Sequence, residues 1–273
     1  MVKSLSSKEL MNAELYPLRE FIMLAGKDGV GKSSAIVSVA WFIEQCKPEV
    51  TFNVLDTESK FRSALRGFGP DAPTNVQYYK TDNMNEVTET VASIITNHKP
   101  GDWLAVESMG PIWDMAQDLA YQAIAGTSKA EYLEKKGKGK GPIPSPEDFW
   151  KIAKGAYDGA FLDLLRHSET LNVILTSIAK SVKDGGGFIK ENKDRKAFRV
   201  EVGMDANISG SPTTPSVVET LALLELSNGQ VSCRVLRDNL SKRDPSRCEF
   251  EVKGKRDWGI TFWSECRNGE IGL

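Results

Sequence analysis

The chain has 273 residues, 26% of them charged and 40% hydrophobic, with a net charge of −2. This is the composition of an ordinary globular protein, and its length suits one large α/β domain or two small ones. No run of about 18 apolar residues is present to span a membrane, and the first residues lack the apolar stretch of a secretory signal.

Hydrophobic runs and breakers predict alternating elements in chain order. Residues 20–25 read as a strand and 32–46 as a helix, 51–56 as a strand and 60–67 as a short helix. A short strand at 76–79 precedes an amphipathic helix near 84–97, and a strand at 103–106 precedes a helix at 112–125. Residues 126–146 read as a loop from their Lys-Gly repeats and prolines. A helix resumes at about Glu147 and runs to about His167, and 172–177 is a buried strand. Residues 180–215 read as a second loop, broken by Gly185-Gly-Gly187 and two prolines. The pattern then turns to strands at 217–226, 231–237 and 248–252, with Asn228-Gly229 as a hairpin turn. The expected organisation is an appendage at 1–19 and a single α/β domain at 20–273, with a mostly parallel sheet and an antiparallel extension.

The strongest motif lies between the first strand and the first helix. Gly26-Lys27-Asp28-Gly29-Val30-Gly31-Lys32-Ser33 is a complete G-x-x-x-x-G-K-S phosphate-binding loop, and Ser34 continues into the helix. Its glycines let backbone N–H groups close around phosphates at a positive helix end. Lys32 neutralises phosphate charge and the Ser33 hydroxyl ligates Mg²⁺. Acidic groups stand where two further strands end, at Asp56-Thr57-Glu58 and at Glu107-Ser108. Open α/β sheets place their ligands at that edge. One carboxylate there is expected to support the metal and another to activate water.

Charge is unevenly spread. Residues 129–140 carry a net +3 and residues 180–199 a net +4, so the remainder of the chain is acidic. Lys135, Lys136, Lys138 and Lys140 lie in the first basic segment. Lys183, Lys190, Lys193, Arg195, Lys196 and Arg199 lie in the second, among Phe188 and Phe198. Basic glycine-rich loops with interleaved aromatics can follow a nucleic-acid backbone and stack on bases; a solvated surface is the plainer alternative. Cys46, Cys233, Cys248 and Cys266 show no C-x-x-C spacing, which points to reduced thiols in a cytoplasmic protein rather than zinc. His98 and His167 read as helix-end residues.

Together, the phosphate loop, Asp56-Thr-Glu58, Trp103-Leu-Ala-Val-Glu-Ser108 and Val173-Ile-Leu-Thr-Ser177 resemble the core of RecA/RadA-like recombinases. In compactness the chain is similar to minimal phage-encoded RecA-like ATPases, including those of single-strand annealing systems. The resemblance implies a P-loop NTPase fold, ATP and Mg²⁺ as cofactors, and Glu58 as the catalytic glutamate. It gives Glu107 the place of a metal-supporting aspartate and Ser177 the place of a polar sensor. It also implies single-stranded DNA as a partner of the two basic loops, a homo-oligomeric filament or ring, and an annealing or single-strand-binding protein as a further partner. An alternative starts from Lys27: Gly-Lys-Asp-Gly-Val-Gly-Lys-Ser resembles the variant loop of ParA/MinD-like dimerisation switches, although Asp56-Thr-Glu58 departs from their signature.

Overall fold

The computed structural model describes residues 19–137, 146–181, 206–208, 214–239, 249–254 and 257–266. Six strands form a parallel core in the order β3-β2-β4-β5-β1-β7. They are β1 (Phe21–Gly26), β2 (Phe52–Asp56), β3 (Val76–Lys80), β4 (Trp103–Glu107), β5 (Asn172–Ser181) and β7 (Thr220–Ser227). The sheet continues antiparallel through β8 (Gln230–Asp238) and β9 (Glu249–Val252), and β6 (Ala206–Ile208) pairs antiparallel with the end of β5. Strands β1, β2 and β4 are buried along their whole length. Helices cover both faces of a parallel sheet, so such strands read as continuous apolar runs rather than alternating ones.

Two apolar cores fill the space on either side. Ile22 and Leu24 of β1 face a core shared with α1 (Lys32–Cys46), α2 (Phe61–Arg66) and the last helix, α9 (Asp257–Cys266). Phe21, Met23 and Ala25 face the other core. That core is built with α3 (Met84–Asn97), α4 (Met109–Ala125) and the later part of a continuous helical run from 146 to 167, whose first turns bury Phe149 and Ala153 with Ala120 in a small separate cluster. The run comprises α6 (Pro146–Lys154), a π-helical stretch (Gly155–Leu162) and α7 (Asp163–His167). Local chemistry sets the helix starts. The Asn83 side chain accepts the Glu86 N–H at 2.9 Å to cap α3, and Pro111 is tolerated in the first turn of α4, where no intrahelical donor is lost.

Five expectations need correction. The predicted loop at 126–146 contains a helix, α5 (Lys129–Gly137). Its start is a reciprocal capping box: the Glu131 N–H donates to Ser128 Oγ at 3.2 Å, and the Ser128 N–H to Glu131 Oε2 at 3.3 Å. The predicted loop at 180–215 begins inside β5, contains β6, and ends on a helical turn, α8 (Thr214–Val217). That turn occupies the predicted start of the strand at 217, so β7 begins at Thr220. After the hairpin at Asn228-Gly229, both residues of which have positive φ as a two-residue type I′ turn requires, the described chain closes on helix α9 rather than on strands alone. Finally, Cys266 is disulfide-bonded while Cys46 and Cys233 are free, so the expectation of four reduced thiols fails. Cys248 lies outside the described residues, as does the proposed appendage except for Arg19.

Candidate nucleotide site

The phosphate loop leaves β1 at the C-terminal edge of the parallel strands. Gly26 has no room for a side chain, because a Cβ there would lie 2.7 Å from both the Leu224 carbonyl oxygen and a Val30 methyl. Gly29 and Gly31 have φ of 76° and 102°, the left-handed backbone that turns the loop into α1. Lys27, Asp28 and Gly29 are exposed, Val30 is buried in the core beneath, and Ser34 lies in the first turn of α1. The Lys32 ammonium folds back across the loop and donates to the Gly26 and Lys27 carbonyl oxygens at 3.0 and 2.8 Å. Burial lowers its pKa, while Glu107 and then Asp28 oppose the shift.

Glu107 ends β4 two strands away, and parallel registration through β5 brings it to the loop. Its carboxylate is 2% exposed. Oε1 accepts the Ser33 hydroxyl at 3.0 Å, and Oε2 lies 3.1 Å from Thr176 Oγ1. Burial raises its pKa to about 7, against hydrogen bonds from Ser33 and Thr176 and the charge of Lys32. The Ser33 hydroxyl and this buried carboxylate are hard oxygen donors in contact, and a divalent cation would relieve the cost of ionising Glu107. The donor set therefore fits Mg²⁺.

The turn after β2 closes the other side. Asp56 is fully buried; its oxygens accept the Glu58 and Phe61 N–H groups at 3.0 and 3.1 Å and the Tyr78 hydroxyl at 3.2 Å. The Thr57 N–H donates to the Glu107 carbonyl oxygen at 2.6 Å, joining this turn to the end of β4. Glu58 Oε2 pairs with Lys60 Nζ at 3.1 Å, and the same ammonium pairs with Asp28 Oδ1 at 3.0 Å.

The structure thus brings together Gly26–Ser34, Glu58 and Glu107. Ser177 is buried on β5, one residue past the contact: strand alternation places it on the opposite sheet face, and Thr176 is the residue that meets Glu107. Thr176 and Lys60 were the residues sequence reasoning missed. Lys135 and Lys136 are exposed in the last turn of α5. Lys138, Lys140, Lys183, Lys190, Lys193, Arg195, Lys196 and Arg199 lie outside the described residues. A cavity of about 730 Å³ between the β3–α3 turn, α4 and α5 is lined by Asp82, Asp114, Asp118 and Lys129 and includes no residue of the phosphate loop.

No protein-family model matches the chain, and no curated protein matches it. Among solved structures, a KaiC-like protein from the hyperthermophilic archaeon Pyrococcus horikoshii OT3 matches with a TM-score of 0.51 over 94% of this chain and 97% of that one, at 11% sequence identity. The chain has a RecA-like P-loop NTPase fold. In this RecA-like sheet the phosphate loop, the end of β4 and the turn after β2 converge on one edge. At that identity the likeness carries the fold, and the site rests on this chain's own geometry. Among the described residues no helix is long and apolar enough to cross a membrane.

Proposed function

We propose that this chain is a Mg²⁺-dependent ATPase that binds single-stranded DNA and acts as a homo-oligomer in DNA recombination, repair or strand annealing. The observation that carries the ATPase reading is the contact chain from Ser33 through Glu107 to Thr176 beside the Lys32 ammonium. Ser33 and Glu107 would hold Mg²⁺, which when bound neutralises charge on the β- and γ-phosphates. Lys32 exchanges its two loop carbonyls for phosphate oxygens. Glu58, held at the edge of the loop by Lys60, accepts a proton from the attacking water. ATP rather than GTP, and DNA as the partner, follow from the resemblance to RecA/RadA-like recombinases. The two basic segments support the DNA reading through their charge.

Steady-state ATP hydrolysis without DNA, with single-stranded DNA and with duplex DNA tests the proposal. Turnover stimulated most by single strands, abolished in Lys32→Ala, and abolished in Glu58→Gln with ATP binding retained, is the expected result. Absence of turnover under all conditions overturns the ATPase reading. Lys32-dependent turnover indifferent to both DNAs overturns the DNA reading, and Lys27→Ala then tests a ParA/MinD-like dimerisation switch.

A further inference from the structure

The turn carrying Glu58 is held at both backbone and side chain. Asp56 accepts the N–H groups of Glu58 and Phe61 and so fixes the backbone on either side of the turn. Ser59 within it has a φ of 61°, a left-handed backbone conformation that a non-glycine residue rarely adopts. Among the ion pairs of the described residues, the side chain of Glu58 is held by Lys60, through Oε2 at 3.1 Å, and 20% of it is exposed. The same ammonium reaches the phosphate loop, where Asp28 Oδ1 lies 3.0 Å away. Asp28 raises the Lys60 pKa, and Lys60 lowers that of Asp28, so the pair is charged at neutral pH.

One cation therefore ties a carboxylate after β2 to the apex of a loop after β1, two elements that the sheet order separates by β4 and β5. Lys60 engages one carboxylate oxygen of Glu58, and the other can accept from a water. Asp28 would by itself place negative charge beside the phosphates, and Lys60 offsets it.

We propose that Lys60 is a positioning residue for hydrolysis, bridging Asp28 and Glu58 so that the phosphate loop and the water-activating carboxylate keep a fixed relation. This rests on the reading of Glu58 as that carboxylate. Because Lys60 is 43% exposed and Asp28 71%, the pair is screened by water and contributes little to folding, so its replacement leaves the fold intact. A misplaced base, by contrast, costs turnover steeply.

The test measures kcat and KM for MgATP in the wild type, Lys60→Ala, Lys60→Arg, Asp28→Asn, the Lys60→Ala/Asp28→Asn double variant and Glu58→Gln. Lys60→Ala is expected to lower kcat about tenfold or more while KM changes by less than about threefold. Lys60→Arg restores most of the rate, because the guanidinium can bridge the same two carboxylates. Asp28→Asn costs less than Lys60→Ala, and the double variant is no slower than Lys60→Ala, since both act through one bridge. Wild-type kcat in Lys60→Ala, equal losses in the Ala and Arg variants, or multiplicative losses in the double variant would each overturn the proposal. Glu58→Gln separates the two failures. If it is inactive while Lys60→Ala is normal, only the bridge is wrong; if it turns over normally, Glu58 itself is misassigned.

Discussion

A carboxylate at 2% exposure must be protonated, paired or bound to a cation, and Glu107 is the residue where that choice is made. Burial raises its folded pKa from an ordinary 4.5 to about 7. Between those values the folded state binds the proton more tightly than the unfolded state, so stability falls as pH rises through this window and levels off above it. The full effect corresponds to about 3 kcal/mol. Glu107→Gln keeps the shape and removes the charge. The nucleotide-free variant should therefore melt several degrees above the wild type near about pH 8 and show a flatter profile down to about pH 5. The same variant should lose Mg²⁺-dependent turnover. Matching pH profiles of melting for both proteins would show that Glu107 is ionised in the fold without cost. The sequence made Glu107 visible because it ends a strand. Its partner Thr176 lies 69 residues away, and choosing it over Ser177 requires knowing which face of β5 meets the loop.

Helix α1 is apolar on nearly every side, with Ala35, Ile36, Val37, Val39, Ala40 and Ile43 all buried. A helix against a sheet alone needs only one apolar stripe, so the opposite side of α1 must also be covered. Helix α9 covers it. Gly259 is the point of closest approach: its N–H donates to Ser38 Oγ at 2.9 Å, and a Cβ there would sit 3.0 Å from the Ser38 carbonyl oxygen. Around it Trp258, Phe262 and Trp263 are fully or almost fully buried, and Trp263 meets Phe42 at 5.7 Å and Trp103 at 5.8 Å between ring centroids. Gly259→Val should force the helices apart and destabilise the protein by about 2 kcal/mol, read as a shifted denaturant midpoint with unchanged slope. A midpoint like the wild type's would mean that α9 is not docked on α1 in solution. The sequence hid this helix because its glycine, aromatics and β-branched residues lack helix propensity, although positions 258, 259, 262, 263 and 266 make a helical stripe. Helix α5 was hidden by the Lys-Gly repeat that begins at its end, while Ser128-Lys-Ala-Glu131 already announced its start. The parallel strands were legible as apolar runs; their order was not, since neighbours such as β1 and β5 are joined only through long crossovers.

At the scale of the molecule, the balance of charge decides how a nucleic acid could be held. An acidic chain repels a polyanion over most of its surface, so binding must be concentrated where lysines and arginines gather. The segment 129–140 is one such place, and the structure puts Lys135 and Lys136 on the exposed last turn of α5, where their charge also favours the negative helix end. Contacts of this kind act through released counterions, each worth a slope of about 0.7 in the logarithm of affinity against that of salt for a single strand. Replacing Lys135, Lys136, Lys138 and Lys140 together by Gln should therefore weaken single-strand binding and reduce that slope by up to about 3. ATP hydrolysis without DNA should survive, because among the described residues neither Lys135 nor Lys136 pairs with the phosphate loop or its carboxylates. Lost binding with an unchanged slope would mean a disrupted helix rather than lost phosphate contacts. An unchanged affinity and slope would remove the first segment from the DNA surface and leave the residues between β5 and β6 to carry it.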